Sequence, residues 1–152
     1  MYTSNDLCQP ALWDILSPAQ VGNVPMTYPA QPIDGRIFSG VMSSKINDEF
    51  AQPPEFRTEL QERVPEYQIG LDWSEYIGRK EELLSDLTDL VTNRREAMRL
   101  LMEADDWRLF FFVFTAPDRL QHLVWDEEVL LDHYRQLDDI VGEVLEYVQM
   151  VD

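Results

Sequence analysis

The sequence has a single cysteine, Cys8, so no disulfide can form within the chain and no cysteine cluster can hold a zinc ion. A reducing compartment fits that usage, and a cytoplasmic protein is expected. Histidine occurs only at His122 and His133. Basic residues are few: twelve Lys and Arg stand against twenty-nine Asp and Glu, for a formal charge of −17. Such a balance repels the phosphate backbone of nucleic acid and the anionic face of a membrane, so neither is expected as a partner. Only Lys45 and Lys80 are lysines. The arginine-rich remainder is read as a solvated acidic surface ahead of an adaptation to high salt. Long apolar runs are missing too. The longest, residues 109–114, is far too short to span a bilayer, and the polar start has no basic segment followed by an apolar one.

What is present is a chain of 152 residues, 45% hydrophobic, long enough to bury one sizeable core. One domain over residues 1–152 is expected. Pro10, Pro18, Pro25, Pro29, Pro32, Pro53 and Pro54 break the first third into short pieces. A short helix is expected at 11–16, strands at 21–24 and 36–42, and a helix from Pro53–Pro54 to Val64. Residues 67–71 fit a further strand and 72–76 a connecting loop.

The second half has clearer periodicity. Leu83, Leu84, Leu87, Leu90, Val91, Met98, Leu101 and Met102 recur at helical spacing and predict a long amphipathic helix over 81–104. The unbroken run Leu109, Phe110, Phe111, Phe112, Val113, Phe114 predicts a central strand buried on both faces. Tyr134, Leu137, Ile140, Val141, Val144, Leu145 and Val148 mark a last helix over 128–149. Helix, buried strand and helix together imply an α/β layer on a mostly parallel sheet, with an irregular first third.

One constellation can carry chemistry. Directly after the apolar strand comes Thr115-Ala116-Pro117-Asp118-Arg119-Leu120-Gln121-His122, with an acid and an imidazole four residues apart. On a helix both lie on one face, and ligands of α/β sheets gather at the C-terminal ends of strands. A carboxylate and a neutral imidazole in that relation can bind one divalent ion of the zinc type. The same residues also fit a structural account. Thr115 would cap the helix that Pro117 helps start, Asp118 would favour the positive helix end, and His122 would pair with Asp118 one turn on. His133, in an Asp-His-Tyr context, is read as a solvated helix residue. Trp73, Tyr76 and Trp125 are read as core aromatics ahead of pocket-lining ones.

The run Phe114-Thr115-Ala116-Pro117-Asp118-Arg119-Leu120-Gln121-His122-Leu123-Val124-Trp125 resembles the strand-end motif of the type I phosphodiesterase and nucleotide pyrophosphatase family, in the alkaline-phosphatase superfamily. Further stretches fall in the matching order: Leu12-Trp13-Asp14-Ile15-Leu16, Asn23-Val24-Pro25-Met26-Thr27-Tyr28-Pro29, Ser39-Gly40 and Asp72-Trp73-Ser74-Glu75-Tyr76. The resemblance implies a partial alkaline-phosphatase-like layered fold. It also implies a binuclear site, usually zinc, that hydrolyses small phosphate esters through an attacking threonine or serine. By resemblance Asp118 and His122 are two ligands of one metal.

The family's first metal-binding aspartate and its nucleophile have no counterpart in these residues, nor do its Asp-His-Gly motif and final ligand histidine. The stretch 16–24 is also shorter than the family's usual one. An internal fragment of a larger phosphodiesterase-like domain, inactive alone, is therefore expected. The alternative is a non-catalytic binding or interaction module that keeps the fold remnant and self-associates through unpaired strand edges.

Overall fold

A computed structural model of the protein describes residues 3–43, 46–104 and 106–151. The elements are α1 (Leu12–Ile15), β1 (Ala19–Val24), β2 (Gly35–Ser39), β3 (Ala51–Gln52), α2 (Pro54–Arg63), α3 (Lys80–Met102), β4 (Leu109–Phe112), α4 (Ala116–Leu123) and α5 (Glu127–Val151), with short 3-10 turns at Ser4–Asp6 and Trp73–Tyr76. They divide into two compact units. The first holds the chain up to Leu71 together with Thr88–Phe114, and the second Asp72–Leu87 with the residues from Thr115 onward. Helix α3 contributes to both.

The first unit is a four-stranded sheet in the order β3-β2-β1-β4. Strand β1 runs parallel to β2 on one side and to β4 on the other, in the register Val21 opposite Ile37 and Phe111, while β3 adds antiparallel to β2. The sheet is therefore mostly parallel and the protein α/β. On one face Phe38 meets the rings of Phe50, Phe56, Tyr67 and Phe112, with centroids 5.4–6.4 Å away. Leu60, Ala97, Leu100 and Leu101 from α2 and α3 close this cluster. Fully burying a ring such as Phe38 stabilises by roughly 1.5–3 kcal/mol. The opposite face, with Ala19, Val21 and Ile37, is covered by Ala30, Trp13 and Ile33.

Helix α2 forms where Pro53–Pro54 predicts it, with Pro54 in the first turn, where its missing N–H is harmless, and Phe56 and Leu60 on the buried face. Helix α3 buries Leu83, Leu87, Leu90, Val91, Ala97, Met98 and Leu101, the spacing of an amphipathic helix.

The strand at 109–114 departs from expectation. It forms as β4 over Leu109–Phe112, and both faces meet apolar partners: Phe110 and Phe112 join the Phe38 cluster, while Leu109 joins the Ala19 side. Its place, however, is at the end of the strand order, so its residues are half-buried and Phe111 is 37% exposed. The central position belongs to β1, whose small residues Ala19, Val21 and Gly22 leave room for neighbours on both sides. A Cβ on Gly22 would lie 2.5 Å from the Phe112 ring, so the bulk of β4 is accommodated by a gap in β1. Residues 67–71 form no strand, and 72–76 tighten into the second 3-10 turn, whose Asp72 side chain accepts from the Ser74 N–H.

In the second unit α4 packs on α5 and on the Trp73–Tyr76 turn. Lys80 pairs with Asp126 at 2.6 Å, and the Tyr76 hydroxyl donates to Asp86 at 2.6 Å. No helix among the described residues is long and apolar enough to cross a membrane.

Candidate functional site

Helix α4 places the acid and the imidazole. Its buried side is Ala116 and Leu120, both fully enclosed. Asp118 and His122 each sit two residues further on, roughly 200° around a helix of 3.6 residues per turn, and so face solvent. Their side chains are 69% and 73% exposed, and Asp118 Oδ1 lies 3.6 Å from His122 Nε2. Arg119 Nε stands 3.8 Å from the other Asp118 oxygen. Thr115 occupies the N-cap position with helical backbone and no side-chain cap bond, so the capping role expected for it is not used.

Imidazole nitrogen and carboxylate oxygen bind zinc at about 2.0–2.2 Å, so donors 3.6 Å apart can meet a single ion between them. The residue types fit a divalent ion of borderline softness. Among the described residues no group of three or more His, Cys, Asp or Glu side chains is gathered in one place. Among the described residues Asp118 and His122 make two candidate donors, and catalytic zinc takes three protein ligands.

His133 is not the solvated residue its sequence context implies. It is 6% exposed, its Nε2 has no hydrogen-bond partner among the described residues, and burial lowers its pKa. The reason lies in register: His133 precedes Leu137 by four residues and Ile140 by seven, which puts it on the buried stripe of α5. That spacing was the signal available in the sequence. Trp125 departs in the opposite direction. It is 86% exposed and so not in the core, because it follows the end of α4 where no element among the described residues covers it. Trp73 and Tyr76 are half-buried, and the hydrogen bond to Asp86, with burial second, pushes the Tyr76 pKa up to about 12.

Sequence reasoning missed a buried polar network in the first unit. Asn23, at φ 57°, donates from Nδ2 to the Val113 carbonyl at 2.6 Å, and its Oδ1 accepts from the Tyr67 hydroxyl at 3.2 Å. Asparagine tolerates the left-handed region better than most residues. Beside Tyr67, to which it is coupled electrostatically, lies Arg94, 1% exposed, whose Nη2 donates to the Ile69 carbonyl at 2.8 Å, while among the described residues Nε and Nη1 make no hydrogen bond of ordinary geometry. Burial lowers the Arg94 pKa and raises that of Tyr67 to about 12. Arg94 stands four residues after Leu90 and three before Ala97, a core position occupied by a charge.

The same region explains two of the motif stretches. Thr27 Oγ1 donates to the Val24 carbonyl at 2.8 Å, and Ser39 Oγ to the Thr27 carbonyl at 3.0 Å. The Gly40 N–H donates to Val24 at 3.0 Å, and a Cβ there would come within 2.3 Å of the Asn23 carbonyl oxygen. Asn23–Pro29 and Ser39–Gly40 are thus locks on the ends of β1 and β2.

Comparison with curated proteins and with solved structures returns no match. A family model described as type I phosphodiesterase / nucleotide pyrophosphatase matches residues 11–151. That span takes in α1, the two locks, the Trp73–Tyr76 turn and the Asp118–His122 pair. The chain belongs to the type I phosphodiesterase/nucleotide pyrophosphatase family, a family of generally metal-dependent hydrolases of small phosphoesters.

Proposed function

We propose that this chain is one segment of a larger phosphoric-ester hydrolase domain, and that Asp118 and His122 are its contribution to one of two divalent metal sites. The observation that carries the reading is the solvent-facing pair itself, Oδ1 and Nε2 3.6 Å apart on a helix whose other side is fully buried. A core that fixes Ala116 and Leu120 also fixes where the two donors face. A bound zinc-type ion would polarise a phosphoryl oxygen and stabilise the leaving oxygen. Asp118 supplies the negative charge and His122 a neutral nitrogen, and neither has to move far to meet the other at one ion. Two donors hold an ion weakly, and phosphoryl transfer depends chiefly on positioning, so the chain alone is inactive.

The test is to purify the chain, add zinc or manganese, and assay a nitrophenyl phosphodiester and monoester beside an Asp118→Asn, His122→Ala double variant. The reading expects metal binding that the double variant loses, and no turnover above a metal-only control. Metal-dependent turnover that vanishes in the double variant would overturn the claim of inactivity.

A second reading, a non-catalytic interaction module, is favoured by one observation. Among the described residues β4 is paired on one side only, with Phe111 partly exposed beside the open backbone edge. Edges of this kind recruit another strand. Light scattering that finds a dimer in wild type and a monomer in Phe111→Lys would support it.

A further inference from the structure

The first unit contains a cavity of about 290 Å³ in its N-terminal part, away from the phosphoester motif in sequence. That volume lies at the lower limit of ligand pockets, about 300–1,000 Å³, and admits a small molecule rather than a whole nucleotide. Trp13, Ile33 and Ile37 give it apolar wall, and Ser4, Asn5, Gln9, Asp14, Thr27 and Gln31 give it polar groups.

Charge decides what such a site accepts. Among the described residues Asp14 is the one charged residue of the lining, and no lysine, arginine or histidine stands there. A phosphate or carboxylate would enter against that carboxylate and against a chain of formal charge −17. The hydrogen-bond arrangement points the same way. The Gln31 nitrogen donates to Asn5 Oδ1 at 2.9 Å and to Ser4 Oγ and the Pro29 carbonyl at 3.3 Å. Since a proline carbonyl can only accept, this fixes the amide orientation. Ser4 gives its hydroxyl proton to the Pro29 carbonyl, and Thr27 gives its own to Val24. The Ala11 N–H takes one oxygen of Asp14, at 2.7 Å. Among the described residues what remains on Gln31, Thr27 and Asp14 is oxygen with lone pairs, which calls for a ligand that donates. Asn5, whose oxygen already accepts from Gln31, keeps its amide nitrogen as a donor, Gln9 can serve either role, and the indole of Trp13 adds a ring able to attract a cation.

We propose that this cavity binds a small protonated amine. The proposal is independent of the metal site, since it uses none of that site's residues.

Benzylammonium, benzyl alcohol and benzoate share one ring and differ in charge, so they separate a cation site from a merely greasy one. Each is titrated into the full chain while the indole N–H resonance of Trp13, assigned with Trp13→Phe, is followed by NMR. Benzylammonium is expected to shift it saturably, with affinity that falls as salt is added. Benzyl alcohol and benzoate are expected to bind at least about fivefold more weakly, the scale of one exposed ion pair. Asp14→Asn keeps an oxygen for the Ala11 N–H and should weaken the amine by a similar factor. Leu7→Lys is expected to weaken it as much by repulsion alone, since Leu7 is 61% exposed and lines the same cavity. Alcohol or benzoate binding as well as the amine would overturn the proposal. So would no saturable shift with any probe, or amine affinity that stays within about twofold of wild type in both variants.

Discussion

Among the described residues the sheet unit buries several polar side chains, whereas the helical unit buries one, His133, and leaves its acid–imidazole pair outside. In the sheet unit polar side chains go inside: Asn23 and Ser39 are fully buried and Arg94 nearly so, and the aromatic cluster around Phe38 is closed to water. In the helical unit the polar pair Asp118 and His122 is outside, and large apolar residues are left outside with it. Trp125, Leu131, Tyr134, Val141 and Leu145 are 47–86% exposed. A buried polar group must be satisfied, so it specifies geometry, whereas an exposed pair is free to take a ligand. In the proposed function the first unit supplies the scaffold and the second the two donors. Large apolar residues are exposed on both units, Leu7 and Ile15 on the first among them, and exposed stripes of this kind mark contact surfaces.

The comparison breaks most readily at Phe38. Phe38→Ala removes the ring that four others touch, and a loss of about 3–5 kcal/mol in urea unfolding is expected. A loss under about 1 kcal/mol would mean the sheet unit is not the closed core described. Asn23→Ala comes next. It leaves the Val113 carbonyl and the Tyr67 hydroxyl without their partner, and about 1–3 kcal/mol should be lost. Equal stability would show that water replaces the side chain without penalty.

The third prediction concerns pH. Burial depresses the His133 pKa below its ordinary 6.5, so the unfolded chain takes up the proton first as pH falls. The stability contributed by neutral His133 is therefore complete above that ordinary value and is lost as pH drops through the window down to the folded pKa. Unfolding midpoints of wild type and His133→Phe, measured across that window, should diverge on acidification, with the variant less sensitive. Parallel curves would mean His133 is solvated after all. The smallest effect on stability is expected from Asp118→Asn with His122→Ala. Both side chains are largely exposed, and surface changes of this kind stay within about 0.5 kcal/mol.

Much of this was legible in the sequence, for reasons that differ by element. Helices α2, α3 and α5 follow from proline placement and apolar period, which act locally. The Asp118–His122 relation follows from a spacing of four in a helix that a strand end and Pro117 announce. Strand β4 was legible as a strand and not as an edge, because pairing is a long-range property that an apolar run does not encode. β3 has two residues and exists only through its bonds to β2. His133 and Arg94 were misread or missed because residue type outweighed position: a histidine or arginine at a core register is still at a core register. The cavity beside Trp13 could not be found, since it is assembled from short elements and loops between 4 and 37 that meet only in the fold.

The central claim is that Asp118 and His122 form the metal-binding arm while the other histidine does not take part. The chain has only two histidines, so imidazole resonances in a proton–nitrogen NMR titration with zinc report on both directly. The account predicts that His122 ring signals shift with added zinc, that Asp118→Asn weakens the effect, and that His133 signals stay in place. Zinc that moves His133, or that leaves His122 untouched, would contradict it.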